Sequence, residues 1–596
     1  MRHSLKSALI TGPLVLMLLI SLALASLNPT LAARPASDPG SENGIQPDTS
    51  PTKSGEAVLK AQQALSELGL YFGPIDGRLN PETEAAVRIY QESAGLKING
   101  EITNQLINSI YNATQIQELL SRLDATRRVG TDTARRKLLD HPATRDLILG
   151  NTSATEKADP TRDKTACFNT PTTRCLLEEA AESAKAVATD KLRDWVLGEI
   201  LAAQARVGLS ADARSTVKRI KDPRLIMVAL HDIAKAQALS GRDEAALKAA
   251  SVIPDAKKRL EALNAIAEIQ MRSGHHQQAA LTARELKASL GKLKKPTDKV
   301  FYKARISVIL GATGETEAAK KELGEAKAMA RLQPDEHTRN TSLRHVASAL
   351  ADMELPDDAL AVISGIGTAT ERMPVLVNAA NAQARAGDAA AALATAQSIE
   401  AVRYRAVVLG QIARSQAQLG KIEAARETLE IAMAAIEKID LPYAKSFATS
   451  RVAETMISIA GLSTHTPDGP VYVFNQAIKM AELIDDNRLR ARSLWLIAAK
   501  QEGKVSASEV SRTIELAQKA TSQIVSNLSR IWMYSDIAIY HSMTGEGKAG
   551  WRAFRNGLEA AKSMENAWGR SRALAKLATG LYELAVRVPD EDGISN

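Results

Sequence analysis

Between residues 58 and 110 the apolar positions fall into three helical groups separated by turn chemistry. Leu59, Gln62, Leu65 and Leu68 recur at spacings that put them on one face of a helix, and the pattern stops at Gly69. The segment Gly73-Pro74-Ile75-Asp76-Gly77 then dictates a turn, because proline fixes φ, aspartate bonds nearby backbone N–H groups and glycine accepts φ > 0. A second helix starts at Asn80-Pro81-Glu82-Thr83, with Asn80 as N-cap, Pro81 at the first helical position and Glu82 against the positive end of the dipole. Ala86, Val87 and Tyr90 supply its apolar stripe. Gly95-Leu96-Lys97-Ile98-Asn99-Gly100 breaks that helix, and Glu101 to Ile110 is expected to form a third. Leu65, Ala86, Val87 and Leu96 are the expected core of this small unit.

From about Arg193 onward a different pattern recurs: Arg, then two apolar positions three and four residues on, two more after a further turn, a short gap to Gly, and an Ala-rich second helix. Arg259 with Ala262, Leu263, Ile266, Ala267, Gly274 and Ala279 is one copy, and Arg405 with Val408, Leu409, Ile412, Ala413, Gly420 and Ala425 is another. Further copies begin at Arg193, Arg339, Arg372, Arg490, Arg530 and Arg570, and one without the Arg begins near Ile226. The intervals are 33 or about 40 residues. A period of that size with helix-turn-helix content predicts stacked hairpins, ten or eleven of them, in a repeat array. The small Ala residues let helices pack closely, which accounts for aromatics at only 4% of the chain. Each repeated Arg is expected to bond the carbonyl end of the preceding helix and to pair with Glu or Asp across the repeat junction, rather than to form an anion ladder.

Residues 58–106 resemble the three-helix type of peptidoglycan-binding domain found in many bacterial cell-wall enzymes. The resemblance is carried, in order and spacing, by Gln62, Gly69, Tyr71, Phe72, Gly73, Pro74, Asp76, Gly77, Thr83, Ala86, Val87, Tyr90, Gln91, Gly95, Leu96 and Gly100. One departure is the aromatic-Gly pair usual before the second helix, which here is Leu79-Asn80. The resemblance implies wall binding, with Tyr71, Phe72, Asp76, Tyr90 and Gln91 as the candidate binding residues: an aromatic face stacks on a sugar or peptide stem while a phenol tip hydrogen-bonds. The hairpins in turn resemble tetratricopeptide repeats, since Ala267 and Ala279 flank Gly274 as small residues flank the turn in that family, although its aromatic positions are mostly aliphatic here. The expected fold is therefore all-α: a small three-helix domain plus a long α-solenoid of tetratricopeptide-like hairpins.

Arg2, His3 and Lys6 precede an apolar run from Leu14 to Leu24, followed by small residues at Ala23-Leu24-Ala25 and Ala32-Ala33, the order of a secretory signal. Left uncleaved, the same segment would anchor the chain in a membrane. Residues 34–55 are rich in Pro, Ser, Gly, Asp and Thr and read as a tether. The expected organisation is a signal or anchor at 1–33, a linker at 34–55, the binding domain at 56–112, a helical and polar connector at 113–165, and the solenoid at 166–590. The two cysteines, Cys167 and Cys175, are close in sequence, and in an exported chain they are expected to form a disulfide.

Composition narrows the function. The net charge is +8, but 76 bases are interspersed with 68 acids, and no basic block interleaved with aromatics occurs, so nucleic acid is not an expected partner. The nine histidines show no His-Glu-x-x-His or other compact ligand spacing, and neither a metal nor a cofactor is expected. Ser289-Leu290-Gly291-Lys292 and Ser50-Pro51-Thr52-Lys53 match Ser-x-x-Lys by letter without a Lys-Thr-Gly or Ser-Asp-Asn partner. Glu92-Ser93 and Glu182-Ser183 lack a lysozyme-like surround. The expectation is an exported, non-catalytic adaptor in the periplasm or cell envelope that binds peptidoglycan and presents its helical surface to envelope proteins. Two alternatives stand beside it: a wall-modifying enzyme with an unrecognised site on the helical scaffold, and a spacer between wall and membrane.

Overall fold

The structure, a computed structural model, describes residues 54–152, 156–460 and 469–588. The N-terminal signal or anchor lies outside them, as does all but the last residues of the tether. The chain divides into two compact units, residues 1–133 and 134–596. In the first, helix α1 (Gly55–Glu67) is capped by Ser54, and helix α2 (Pro81–Ser93) by Asn80, whose side chain accepts from Thr83 N at 2.7 Å. Val58, Ala61, Leu65, Tyr71, Ala86, Val87, Tyr90, Ile102, Leu106 and Ile110 make one core. Leu96 differs from expectation: it is 41% exposed, because the turn at Gly95 carries it past the core. Helix α3 (Asn104–Asp140) also runs well beyond the expected Ile110. No proline interrupts residues 104 to 141, and Pro142, which disfavours helix at the residue before it, stands just past the end.

Among the described residues of the second unit, eleven hairpin-opening helices pack side by side in chain order: Asp190–Arg206, Pro223–Leu239, Ala256–Arg272, Pro296–Ala312, Glu336–Asp352, Ala369–Arg385, Val402–Gln418, Pro442–Ala460, Asn487–Gln501, Asn527–Thr544 and Ala567–Arg587. Each is followed or completed by a second helix that packs chiefly on first helices. The repeat interval is set by the second helix. Units of 33 residues carry one of 8 or 9 residues, such as Ser210–Val217 or Asp243–Ser251. The units near 40 residues carry one of 14 to 16, such as His276–Ser289 or Thr316–Arg331. Seven extra residues are about two more turns, so the array absorbs both periods without changing the packing of its first helices.

The turn within a hairpin needs a left-handed residue. Gly274 supplies it at φ 78°, and in the hairpin after Asp352 the non-glycine Glu354 is held there at φ 60°. Ala267 and Ala279 on either side of the Gly274 turn are fully buried. Five of the eight repeated arginines bond a preceding carbonyl; of the others, Arg372 pairs with Glu400 at 3.6 Å, Arg490 donates to the Gln523 side chain at 3.0 Å and Arg570 to the Ser183 hydroxyl. Arg193, Arg259, Arg339, Arg405 and Arg530 each donate to the carbonyl of the residue six positions earlier, at the end of the preceding helix. A buried amide-hydroxyl pair also recurs between the two helices of a hairpin, in Gln204 with Thr216, Gln270 with Thr282 and Gln383 with Thr395, each at 2.8 Å.

The array closes on itself. Its earliest long helix, Thr173–Lys185, has no hairpin partner beside it in sequence, and packs instead as the second helix of the last hairpin, against Ala567–Arg587. The Asp190–Arg206 helix packs on that same terminal helix, so the layer of first helices is continuous all the way round. The seam is polar and aromatic. Arg206 pairs with Glu583 at 2.6 Å, Arg570 donates to Ser183 at 3.1 Å, and the Arg572 guanidinium pairs with Glu199 at 2.8 Å. Arg572 also stacks over Trp195, Trp532 and Trp568, at 5.2, 4.3 and 4.5 Å from the ring centroids. Cys167 and Cys175 are joined in a disulfide, with Cys175 in the first turn of the closing Thr173–Lys185 helix.

The first helices line the inner wall of this closed array, because only the set of helices on the shorter circumference can touch all the way round. His345, on the Glu336–Asp352 helix of that set, lies among the charged side chains of Arg344, Arg305 and Asp298. Burial first and Arg344 second, with a smaller push from Arg305, outweigh the opposing pull of Asp298 and hold its imidazole down at about 4, and its ring packs edge-on to Phe301 at 5.0 Å. A folded-state value below the unfolded one gives stability that is complete above the unfolded pKa near 6.5 and is lost as pH falls toward 4. Lowering the pH from 7 to 5 is therefore expected to cost about 2 kcal/mol through this group. His345→Gln should flatten that part of the stability profile, as measured by urea unfolding at each pH; an unchanged slope would assign the loss elsewhere.

Candidate functional site

Two glutamines shape the surface of the small domain. Gln62, fully buried on α1, accepts from Asp76 N at 3.1 Å and Gly77 N at 2.8 Å, and donates to Arg78 O at 3.0 Å and Thr83 Oγ at 3.1 Å. Gln91 on α2 does the same for the second loop, accepting from Asn99 N at 3.1 Å and Gly100 N at 2.9 Å and donating to Asn99 Oδ1 at 2.7 Å. Each amide thus satisfies backbone groups of a turn that the chain could not pair within itself. Gly77 sits at φ 73° with its α-carbon so close to α1 that a Cβ there would lie 2.7 Å from Gly55 O.

The five candidate residues separate into two groups on this frame. Tyr71 is buried, and its hydroxyl donates to Pro74 O at 2.8 Å. Tyr90 is buried, and its hydroxyl bonds Ser109 at 2.8 Å. With Gln91, both point into the fold. Phe72 is the opposite case, 91% exposed on the loop from Tyr71 to Asn80. Asp76 is exposed on the same loop; it accepts from Arg78 N at 2.9 Å, and that bond, with Gln62 beside it, holds the carboxyl below the usual range. Ile75 and Leu79 are also exposed there, at 46% and 39%. They escaped the sequence reading because an apolar residue in a turn reads by default as core; the signal that would have found them is their position within a Gly/Pro segment too tight to fold back over them. Phe72, Ile75 and Leu79 together give this loop an apolar surface, with the Asp76 carboxylate among them.

Residues 54–110 match the family described as "Putative peptidoglycan binding domain". The match covers the two pinned loops and all three helix starts of the small domain, and leaves the array outside it. No curated protein matches the chain. Among solved structures, the chain is similar to Ton1535 from Thermococcus onnurineus NA1, with 14% identity over 55% of this chain and 98% of that one and a TM-score of 0.26. It is also similar to a circular tandem repeat protein with a novel repeat topology and enhanced subunit contact surfaces, with 12% identity over 70% of this chain and 95% of that one and a TM-score of 0.16.

In the array, two of the polar side chains considered for chemistry are held in ion pairs. Glu182 pairs with Lys185 at 2.6 Å, and His275 with Asp243 at 2.8 Å. Among the described residues no group of three or more His, Cys, Asp or Glu side chains is arranged to hold a metal ion.

Proposed function

We propose that this protein is an exported, non-catalytic adaptor that holds peptidoglycan through the loop from Tyr71 to Asn80 and offers the closed helical array to other envelope proteins. The observation that carries the wall-binding part is Phe72: a large apolar ring, almost wholly in solvent, on a loop whose backbone is fixed from beneath by Gln62. An exposed aromatic on a preorganised loop loses little entropy on binding, and its face suits the apolar face of a sugar or an alanine methyl of a stem peptide. Asp76, beside it, would accept from an amide or a hydroxyl. Tyr71, Tyr90 and Gln91 act as positioning residues in this reading, shaping the loops without touching the wall. The disulfide supports export, because such bonds persist in oxidising compartments. The array supports an adaptor role through its extent: eleven packed hairpins give an extended surface.

Phe72→Ala in the intact protein is expected to weaken co-sedimentation with purified sacculi at least tenfold, the loss of about 1.4 kcal/mol or more, while leaving the melting temperature unchanged. Sedimentation equal to that of the unaltered protein would remove the loop from the binding surface.

A further inference from the structure

The small domain is acidic within a basic chain. Residues 54–110 hold seven carboxylates and four bases, three negative charges net, against +8 for the whole chain. Two of these carboxylates stand at the Phe72 loop. Glu82, exposed in the first turn of α2, lies against the residue that follows Phe72: a Cβ on Gly73 would stand 2.5 Å from Glu82 Oε2. Asp76 has one oxygen engaged, Oδ1, which accepts from Arg78 N at 2.9 Å and Gln62 Nε2 at 3.4 Å; its other oxygen has no partner among the described residues. The neutral side chains of the loop are bonded inward. Tyr71 donates to Pro74 O, Asn80 caps α2 through Thr83 N, and Gln62 donates to the Thr83 hydroxyl. The loop therefore turns to solvent one aromatic ring, a proline, two branched aliphatic chains, two carboxylates and the single guanidinium of Arg78.

Building on the reading that this loop holds the wall, we propose that it binds the peptide stem rather than the glycan, and within the stem the free ammonium of an uncrosslinked diamino acid. A glycan chain offers hydroxyl and amide groups, yet the neutral polar side chains of the loop are already paired with one another. What remains open is charged and apolar. A diamino side chain complements both: its methylenes lie on Phe72, Ile75 and Leu79, while its cation is attracted by Asp76, by Glu82 and by the face of the Phe72 ring. The Asp76 carboxylate is kept ionised by the bond from Arg78 N. Crosslinking turns the amine of the stem into an amide and removes its charge, so the domain favours stems that are not yet joined.

The test is co-sedimentation of the intact protein with purified sacculi before and after acetylation of their free amines with acetic anhydride. Acetylation is expected to weaken binding at least about threefold, a modest factor because an exposed ion pair adds little to an affinity. Asp76→Asn keeps the acceptor for Arg78 N. It should weaken binding to untreated sacculi by about the same factor and lose nothing further on acetylated ones, since both changes remove one interaction. Losses that instead add would show that the cation is met elsewhere and overturn the proposal. Phe72→Ala separates the proposal from the reading beneath it. If Phe72→Ala loses binding while the unaltered protein holds both kinds of sacculi equally, the loop stands as the wall site and the ammonium is overturned as its ligand. If Phe72→Ala binds as tightly as the unaltered protein, the loop itself is overturned, and the proposal with it.

Discussion

Arg572→Ala is expected to destabilise the helical array by about 3 kcal/mol and to loosen both of its ends together, because the residue closes the ring rather than a local hairpin. Its side chain is buried, bonded to Glu199 through two nitrogens, and surrounded by three indole rings. Truncation removes the guanidinium from among the three rings and strands Glu199 at a partly buried seam, and a charge left without its partner there costs more than the pair contributed. In an open repeat array the terminal hairpins fray independently. Here the Thr173–Lys185 and Ala567–Arg587 helices are one hairpin, so opening should raise hydrogen exchange in residues 173–206 and 567–587 in parallel. Faster exchange confined to residues 567–587, with 173–206 as protected as before, would show that the seam does not hold the two ends to each other.

Gln62→Leu is expected to unfold the small domain while the array melts as before. The amide meets the N–H groups of Asp76 and Gly77 and the carbonyl of Arg78 in the turn before α2, and the Thr83 hydroxyl in the first turn of α2. A leucine fills similar volume but leaves those groups unpaired, at about 1–3 kcal/mol for each one that water cannot reach. Two or three such losses equal the whole stability of a three-helix domain this small. Amide exchange across residues 54–110 should lose its protection, and sacculus binding should go with it. Retained protection at Ala86, Val87 and Tyr90 would mean that the turn relaxes to find other partners.

The contrast between Gln62 and Phe72 shows how far the candidate site could be read from the chain. Both belong to the motif that carries the family resemblance, and the motif says nothing about which side chain turns inward. Spacing could assign Leu65 or Val87 to a core because helical periodicity has a fixed angle per residue. A ten-residue turn has no such period, and whether Tyr71 or Phe72 faces solvent depends on where Pro74 and Gly77 send the backbone. The structure puts Tyr71 in and Phe72 out.

Local chemistry in the sequence by itself determined that the chain is helical, that hairpins repeat every 33 or about 40 residues, where Gly241, Gly274 and Gly420 turn them, and what five of the eight repeated arginines bond. Each of these depends on contacts within a few dozen residues, which composition and period encode directly. Only the tertiary structure decided that the array closes. Closure rests on pairs such as Glu199 with Arg572 and Arg206 with Glu583, separated in sequence by 373 and 377 residues. Each repeat adds a small rotation to the last, and whether eleven rotations bring residue 583 back to residue 206 is a sum that no single repeat contains.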